Sequence, residues 1–547
     1  MIKKNFVASR IKDHKSNIVT KMWNIQQKLD DVIAMGRGDT DLDTPRHIID
    51  AGINALNNGA THYTHPMGMP ELRNEICNDI LKNGGAKYND DEIVVTAGGQ
   101  EAMFAIALGI LNAGDEMIAV APGYNPYFQA AELAEAKPVM VKTYIDNNFA
   151  MTAEAVEPLI TDKTKIMVII NPCNPTGAVT PYEEVLKLSQ LAIKHDLIVI
   201  SDEIYSRLTF GNHTAQPVAA LPEMFERTIT LNGFSKSYCM TGWRVGYFAA
   251  PKNLITHLGE IHHGFAICAP AVSQHAALAA LKGSQDCVKE MQQIMQERCE
   301  ILCNGLDEIN IPYSEPQGGY YVYANVSKTG MNATDFCLKL LEEGKVIIYP
   351  GGLYGDHCDD FVRFSLTQPA NKIKEAVSRI KKSCINNMNA KLKNEVLEIK
   401  HMAFAVEDIE QSLKYYKKFM GVSNDIEIQD MPKSRTRVAV FNIGDIEYQL
   451  CQSQDPDGRF NKWIKERGRG GLHHICYVVK NLDESIKVMT DEGATLRECK
   501  ACKVVGNHPH PEGFIAFLDN EVDNIEVELM QVYTDQELEK YKSYQGI

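Results

Sequence analysis

Lys236 and Arg244 lie eight residues apart in SKSYCMTGWR (235–244), beside a Gly-Trp turn. A lysine held in a fixed, partly desolvated place keeps some of its amine neutral at about pH 7 and can form a Schiff base with an aldehyde cofactor. The arginine can hold that cofactor's phosphate. A lone lysine is ordinarily a solvated surface charge, so three other segments decide the reading. NPCNPTG (171–177) ends an apolar run in a proline-punctuated turn that leaves Asn174 poised to donate a hydrogen bond. SDEIY (201–205) ends another apolar run in Asp202, with Tyr205 three residues on. A carboxylate there can keep a pyridine nitrogen protonated, which makes such a cofactor an electron sink. VVTAGGQEAM (94–103) passes through two glycines into a helical pattern, an N-terminus suited to a phosphate. Taken singly, Asp202 is equally a helix cap and Gly98-Gly99 a tight turn.

A parallel sheet brings such residues together at the carboxyl ends of its strands. Continuous β-branched runs at 92–98, 116–122, 137–143, 165–172, 197–203 and 228–234 alternate with helical patterns. Runs without alternation mean strands covered on both faces, so an α/β layered domain follows. A long helix is expected within 280–305, leading to a smaller α+β lobe with strands in GGYYVYANV (318–326) and FVRFSL (361–366). The polar, Asn/Lys-rich stretch 384–397 reads as a linker. Beyond it the chain repeats itself, 399–416 resembling 472–489 and 446–452 resembling 525–531. Each repeat reads as strand, helix, strands, and two such units bury a core only by pairing. His401 and His474 open equivalent strands, Gln449 and Glu528 hold equivalent later places, and this His, Gln, His, Glu set suits a divalent metal. His473, next to His474, is expected to point to the other face of its strand.

At 547 residues the chain is multidomain, and 56 basic against 71 acidic residues, a net charge of −15, argue against nucleic acid or an anionic membrane as partner. Fourteen cysteines without a regular framework read as reduced thiols. The first fifteen residues lack an apolar signal core and no apolar run approaches a membrane span. A soluble cytoplasmic protein is expected.

Residues 1–390 resemble the fold-type I, pyridoxal-phosphate-dependent class I/II aminotransferases. The likeness runs from MGRGDTDLDTPRHI (35–48) and HYTHPMGMPELRNEI (62–76), through the four motifs above and APGYNPY (121–127), to FVRFSL. It implies a large, mostly parallel mixed-sheet domain with a small α+β lobe. Lys236 would be the Schiff-base lysine and proton carrier, and Asp202 would pair with the pyridinium nitrogen. Asn174 and Tyr205 would bind the ring's phenolic oxygen, and Tyr124 would stack on its face. Gly99, Gln100, Ser235 and Arg244 would take the phosphate, with Tyr63 reaching the cofactor of a second subunit, which implies a homodimer. Arg363 would clamp the α-carboxylate of an amino acid or 2-oxo acid, with Gly38 opposite and Asn174 beside it. Gly233 departs from the serine that many relatives carry there as a phosphate ligand. The same residues also serve a cofactor-dependent lyase, substitution enzyme or oxidase.

Residues 398–533 resemble the vicinal-oxygen-chelate superfamily of paired βαβββ repeats, RGRGGLHHICYVV (467–479) being similar to methylmalonyl-CoA epimerases. Residues 534–547 form a tail. The resemblance implies a metal held by His401, Gln449, His474 and Glu528, with open positions for two oxygens of a 2-oxo acid or malonyl-type thioester. The epimerases' glutamate before the VRVA-like strand is absent from MPKSRTRVAV (431–440), where Lys433 or a neighbour stands. The fusion implies that the two domains share or exchange a 2-oxo acid, which the second would enolise and epimerise. An iron-dependent dioxygenase at His401, His474 and Glu528, or a metal-free binding module, are the alternatives.

Overall fold

The computed structural model describes residues 18–545 apart from Lys433, 492–493, 500–502, 512 and 523–524. The chain forms two compact units that divide between Cys384 and Ile385. The stretch expected as a linker is traversed by a helix, Ala370–Glu395, and by the start of the strand Val396–Ala405. The expected position of the missing epimerase glutamate, Lys433, lies outside the described residues.

The first unit is built on a seven-stranded sheet. In spatial order its strands are Ile93–Thr96, Gly246–Ala249, Thr228–Gly233, Ile198–Asp202, Thr164–Ile170, Glu116–Ala121 and Lys137–Lys142. The five strands from Thr228–Gly233 to Lys137–Lys142 are mutually parallel. Gly246–Ala249 runs antiparallel to both its neighbours and carries no run long enough to have been expected from sequence. Three apolar clusters fill the space between this sheet and its helices. Strands buried on both faces explain why their sequences lack alternation. The long helix Asp286–Asp307 leads to the smaller lobe, whose antiparallel sheet orders Tyr349–Pro350, Phe361–Ser365 and Tyr321–Asn325.

The second unit carries a nine-stranded sheet centred on two antiparallel strands, Val396–Ala405 and Gly471–Val479. Each is followed by a helix, Ile409–Phe419 or Leu482–Asp491, and then by further strands, as the repeat requires. Each repeat's last strand lies parallel to its first: Ile446–Ser453 beside Val396–Ala405, and Ile525–Val532 beside Gly471–Val479. Cys499 and Cys502 do form one CxxC spacing. All twelve described cysteines are free. No described helix is long and apolar enough to cross a membrane.

Candidate functional sites

In the first unit the predicted residues gather at the carboxyl ends of the parallel strands, where the smaller lobe's sheet meets them. Asp202 ends its strand and is 6 % exposed. Tyr127 Oη donates to its Oδ2 at 2.7 Å and the Ile204 N–H donates to its Oδ1 at 3.2 Å. No cation accompanies it among these contacts, and burial pushes its carboxyl up to about 6. A protonated pyridine ring would supply the missing counter-charge.

Lys236 follows the strand Thr228–Gly233 and is half-buried. Its Nζ donates to the Gly38 carbonyl at 2.6 Å, and its own carbonyl accepts from Tyr320 Oη at 2.6 Å. The rings of Tyr205 and Tyr320 lie 5.9 and 5.7 Å from the ammonium. Arg363, 5 % exposed, donates to Asn174 Oδ1 at 3.0 Å and to the Gly36 carbonyl at 2.5 Å. Its guanidinium stacks 4.1 Å from the ring of Tyr321, whose hydroxyl accepts from Tyr205 Oη at 3.2 Å. Burial would raise the Tyr321 phenol, but the charges of Arg363 and Lys236 outweigh it and hold the phenol below its ordinary value.

The turn before the helix Gly99–Ile110 needs glycine at 98, where φ is +92°, and a Cβ there would come within 2.6 Å of Arg244 Nη2. Arg244 thus caps an open turn of backbone amides, a cradle for a phosphate. Ser235 is half-buried, and Gln100, which follows Gly99 in the chain, is exposed. Gly233 pairs with Gly246 across antiparallel strands, and a Cβ would meet the Gly246 Cα at 3.1 Å. A side chain at 233 would need the Gly246 backbone to give by a few tenths of an ångström. Tyr124 packs edge-on to Tyr127, while Tyr63 makes none of these contacts and is 77 % exposed. These residues fit pyridoxal phosphate. Sequence reasoning missed Tyr321, Tyr127 and Gly36. Tyr127 stands three residues after Tyr124, a visible helical spacing, whereas Tyr321 joins the site only because its strand pairs with the one carrying Arg363.

In the second unit His401, His474 and Glu528 are all buried, and one donor atom from each lies within 4.8 Å of the others. His401 Nε2 and His474 Nε2 are 3.3 Å apart, and Glu528 Oε2 lies 3.5 Å from the first and 3.3 Å from the second. Spacings of this size match the edges of a coordination polyhedron with bonds of about 2.1 Å. Burial alone would raise Glu528, but hydrogen bonds from His401 and His474 prevail and hold its carboxyl far below the usual range. Burial also holds His474 below the ordinary imidazole value. An ionised Glu528 beside a His474 held below the ordinary imidazole value is a donor set suited to a metal. His401, Ala403, Glu447 and Gln449 share a sheet face by register, but the Gln449 amide donates to Glu447 Oε1 at 2.8 Å.

His473 does not point away, contrary to expectation. Ala403 pairs with His474 and Phe404 with Leu472, so His473 is the extra residue of a β-bulge. Alternation fails there, and His473 Nδ1 lies 2.9 Å from His474 Nδ1, with the rings of Phe460 and Trp463 against it.

Residues 30–380 match the model of the "Aminotransferase class I and II" family, and residues 400–514 match that of the "Glyoxalase/Bleomycin resistance protein/Dioxygenase superfamily". An aspartate aminotransferase of Pyrococcus abyssi is 35 % identical over 367 residues, 66 % of this chain and 94 % of the relative. An aromatic-amino-acid aminotransferase of Thermococcus litoralis is 32 % identical over 66 % of this chain and 94 % of its own length. The solved structure of Thermus thermophilus aspartate aminotransferase with maleate superposes with a TM-score of 0.66 at 30 % identity, covering 70 % of this chain and all of that one.

Proposed function

Because the chain belongs to the class I and II aminotransferases over residues 30–380, we propose that its first unit moves an amino group between an amino acid and a 2-oxo acid through the residues assembled around Lys236. Pyridoxal phosphate, when bound, supplies the electron sink for the negative charge left on the substrate Cα. Lys236 Nζ would carry the proton between the substrate Cα and the cofactor's C4′, its position set by the Gly38 carbonyl. Asp202 keeps the cofactor's ring nitrogen protonated, and Tyr124 orients the ring face. Asn174 and Tyr205 donate to its phenolic oxygen. Gly99, Gln100, Ser235 and Arg244 bind the phosphate, and Tyr63 from a second copy completes that site in a cytoplasmic homodimer. Arg363 grips the α-carboxylate in bidentate fashion beside Asn174 and the Gly38 backbone. The convergence of Lys236, the cation-free Asp202 and the buried Arg363 at one end of the sheet carries this reading. An amino-acid panel tests it: the cofactor absorbance shifts and one equivalent of 2-oxo acid is released per site. A shift without release would argue against transamination.

The second unit, on the same proposal, holds a divalent metal at His401, His474 and Glu528, with Gln449 as fourth ligand after turning from Glu447. The metal would stabilise the enolate of a 2-oxo acid or malonyl-type compound. The mutual 3.3–3.5 Å spacing of three buried donors supports it. Metal analysis after reconstitution is expected to give about one equivalent per chain, set by the one such donor cluster among the described residues. Incubation with a 2-oxo acid in D₂O is expected to exchange its β-hydrogens only with metal present. Absent metal uptake would leave a binding module, and uptake without exchange would exclude enolisation.

A further inference from the structure

Behind the Gly98 turn lies a buried pair that the catalytic reading does not use. His262, on the helix Lys252–Ala266, is fully buried, and its Nδ1 lies 2.5 Å from Glu101 Oε1. Its Nε2 is buried without a hydrogen-bond partner. Glu101 stands in the first turn of the helix Gly99–Ile110. Its other oxygen, Oε2, accepts from the Ala97 N–H at 2.5 Å. The Ala97 carbonyl faces Arg244 Nη2 at 3.5 Å, and Thr96 Oγ1 donates to the Gly98 carbonyl at 3.0 Å. The peptide of Ala97 is thus held on one side by Glu101 and on the other by Arg244. The helices bearing Glu101 and His262 pack closely, since a Cβ on Gly109 would meet Leu258 Cδ2 at 2.5 Å.

This arrangement answers an electrostatic problem. A carboxylate two residues past Gly99 places negative charge where a phosphate dianion would sit against the same helix terminus, and the two repel. A buried carboxylate is also costly unless paired and hydrogen-bonded. His262 Nδ1 supplies the partner for Glu101 Oε1, leaving Oε2 to hold the Ala97 amide.

We propose that His262 is a positioning residue for the cofactor phosphate: by pairing with Glu101 it fixes the Ala97-Gly98-Gly99 turn and offsets the carboxylate behind it. The inference rests on the reading that this turn and Arg244 take the phosphate. The test strips the full-length enzyme of cofactor and titrates it with pyridoxal phosphate, following cofactor absorbance, with the apoenzyme melting temperature measured in parallel. His262→Ala is expected to weaken binding about tenfold, and His262→Gln, which keeps a donor, about threefold. His262→Gln combined with Glu101→Gln removes the charge while keeping the acceptor for Ala97, and should bind within about twofold of the wild type. Arg244→Gln serves as the reference and should weaken binding at least as much as His262→Ala. If Arg244→Gln weakens binding while both single His262 variants stay within about twofold of wild type, whatever their melting temperatures, the inference is overturned and the phosphate reading stands. If Arg244→Gln leaves binding unchanged, the phosphate reading fails and takes the inference with it. A double variant as weak as His262→Ala would overturn the charge argument.

Discussion

Asp202 and Glu528 are both buried carboxylates at the centre of a site, and their surroundings treat them in opposite ways. Asp202 has a tyrosine hydroxyl and a backbone amide as partners and is pushed up to about 6 by burial. Glu528 lies between two imidazoles and is held far below the usual carboxylate range. The first site leaves its carboxylate without a counter-charge, and the second holds its carboxylate ionised between two histidines. The fold spends stability at Asp202 to gain an electron sink, since an uncompensated buried carboxylate opposes folding until its partner arrives.

The largest effect expected in this contrast comes from Lys236→Ala, which should reduce amino-group transfer by about 10⁴-fold. Metal uptake by the second unit should not change, and a parallel loss of metal would break the separation of the two sites. Arg363→Lys keeps the charge but loses the fork, and kcat/KM for the amino acid should fall about 10²-fold. Stacking on Tyr321 and the bond to Asn174 both depend on the planar guanidinium.

Asp202 gives a pH test. Its folded value of about 6 exceeds the ordinary value of 3.8, so the folded apoenzyme binds the proton more tightly than the unfolded chain. The stability from that proton is full below about 3.8 and is lost as pH rises through about 6. Asp202→Asn should therefore stabilise the apoenzyme by up to about 3 kcal/mol at pH 8 and by almost nothing near pH 4, as read by denaturant titration. With pyridoxal phosphate bound, the sign should reverse. A pH-independent difference would mean that Asp202 is not the buried, cation-free group described. The smallest effect belongs to Gln449→Ala, which should weaken metal binding about tenfold or less, measured by competition with a chelator. No change at all would leave Gln449 as a partner of Glu447 only.

Much of this was legible in the chain because strands covered on both faces read as unbroken apolar runs and motif residues sit where such strands end. The roles of Lys236 and Arg363 were what the family resemblance implied, while Asp202 and Asn174 were placed by strand ends and His401, His474 and Glu528 by the repeat. Those features follow from local periodicity and internal repetition, which the amino-acid sequence by itself determines. Tertiary structure decided the rest. The antiparallel strand Gly246–Ala249 is too short to announce itself, yet its pairing brings Gly246 against Gly233. Tyr321 reaches Arg363 only through strand pairing, and His262 meets Glu101 across 161 residues by helix packing. The bulge at His473 turns a residue expected to face away toward His474. Register and packing are non-local, so a chain can state which residues are suited to a site while their neighbours are settled only when distant segments meet.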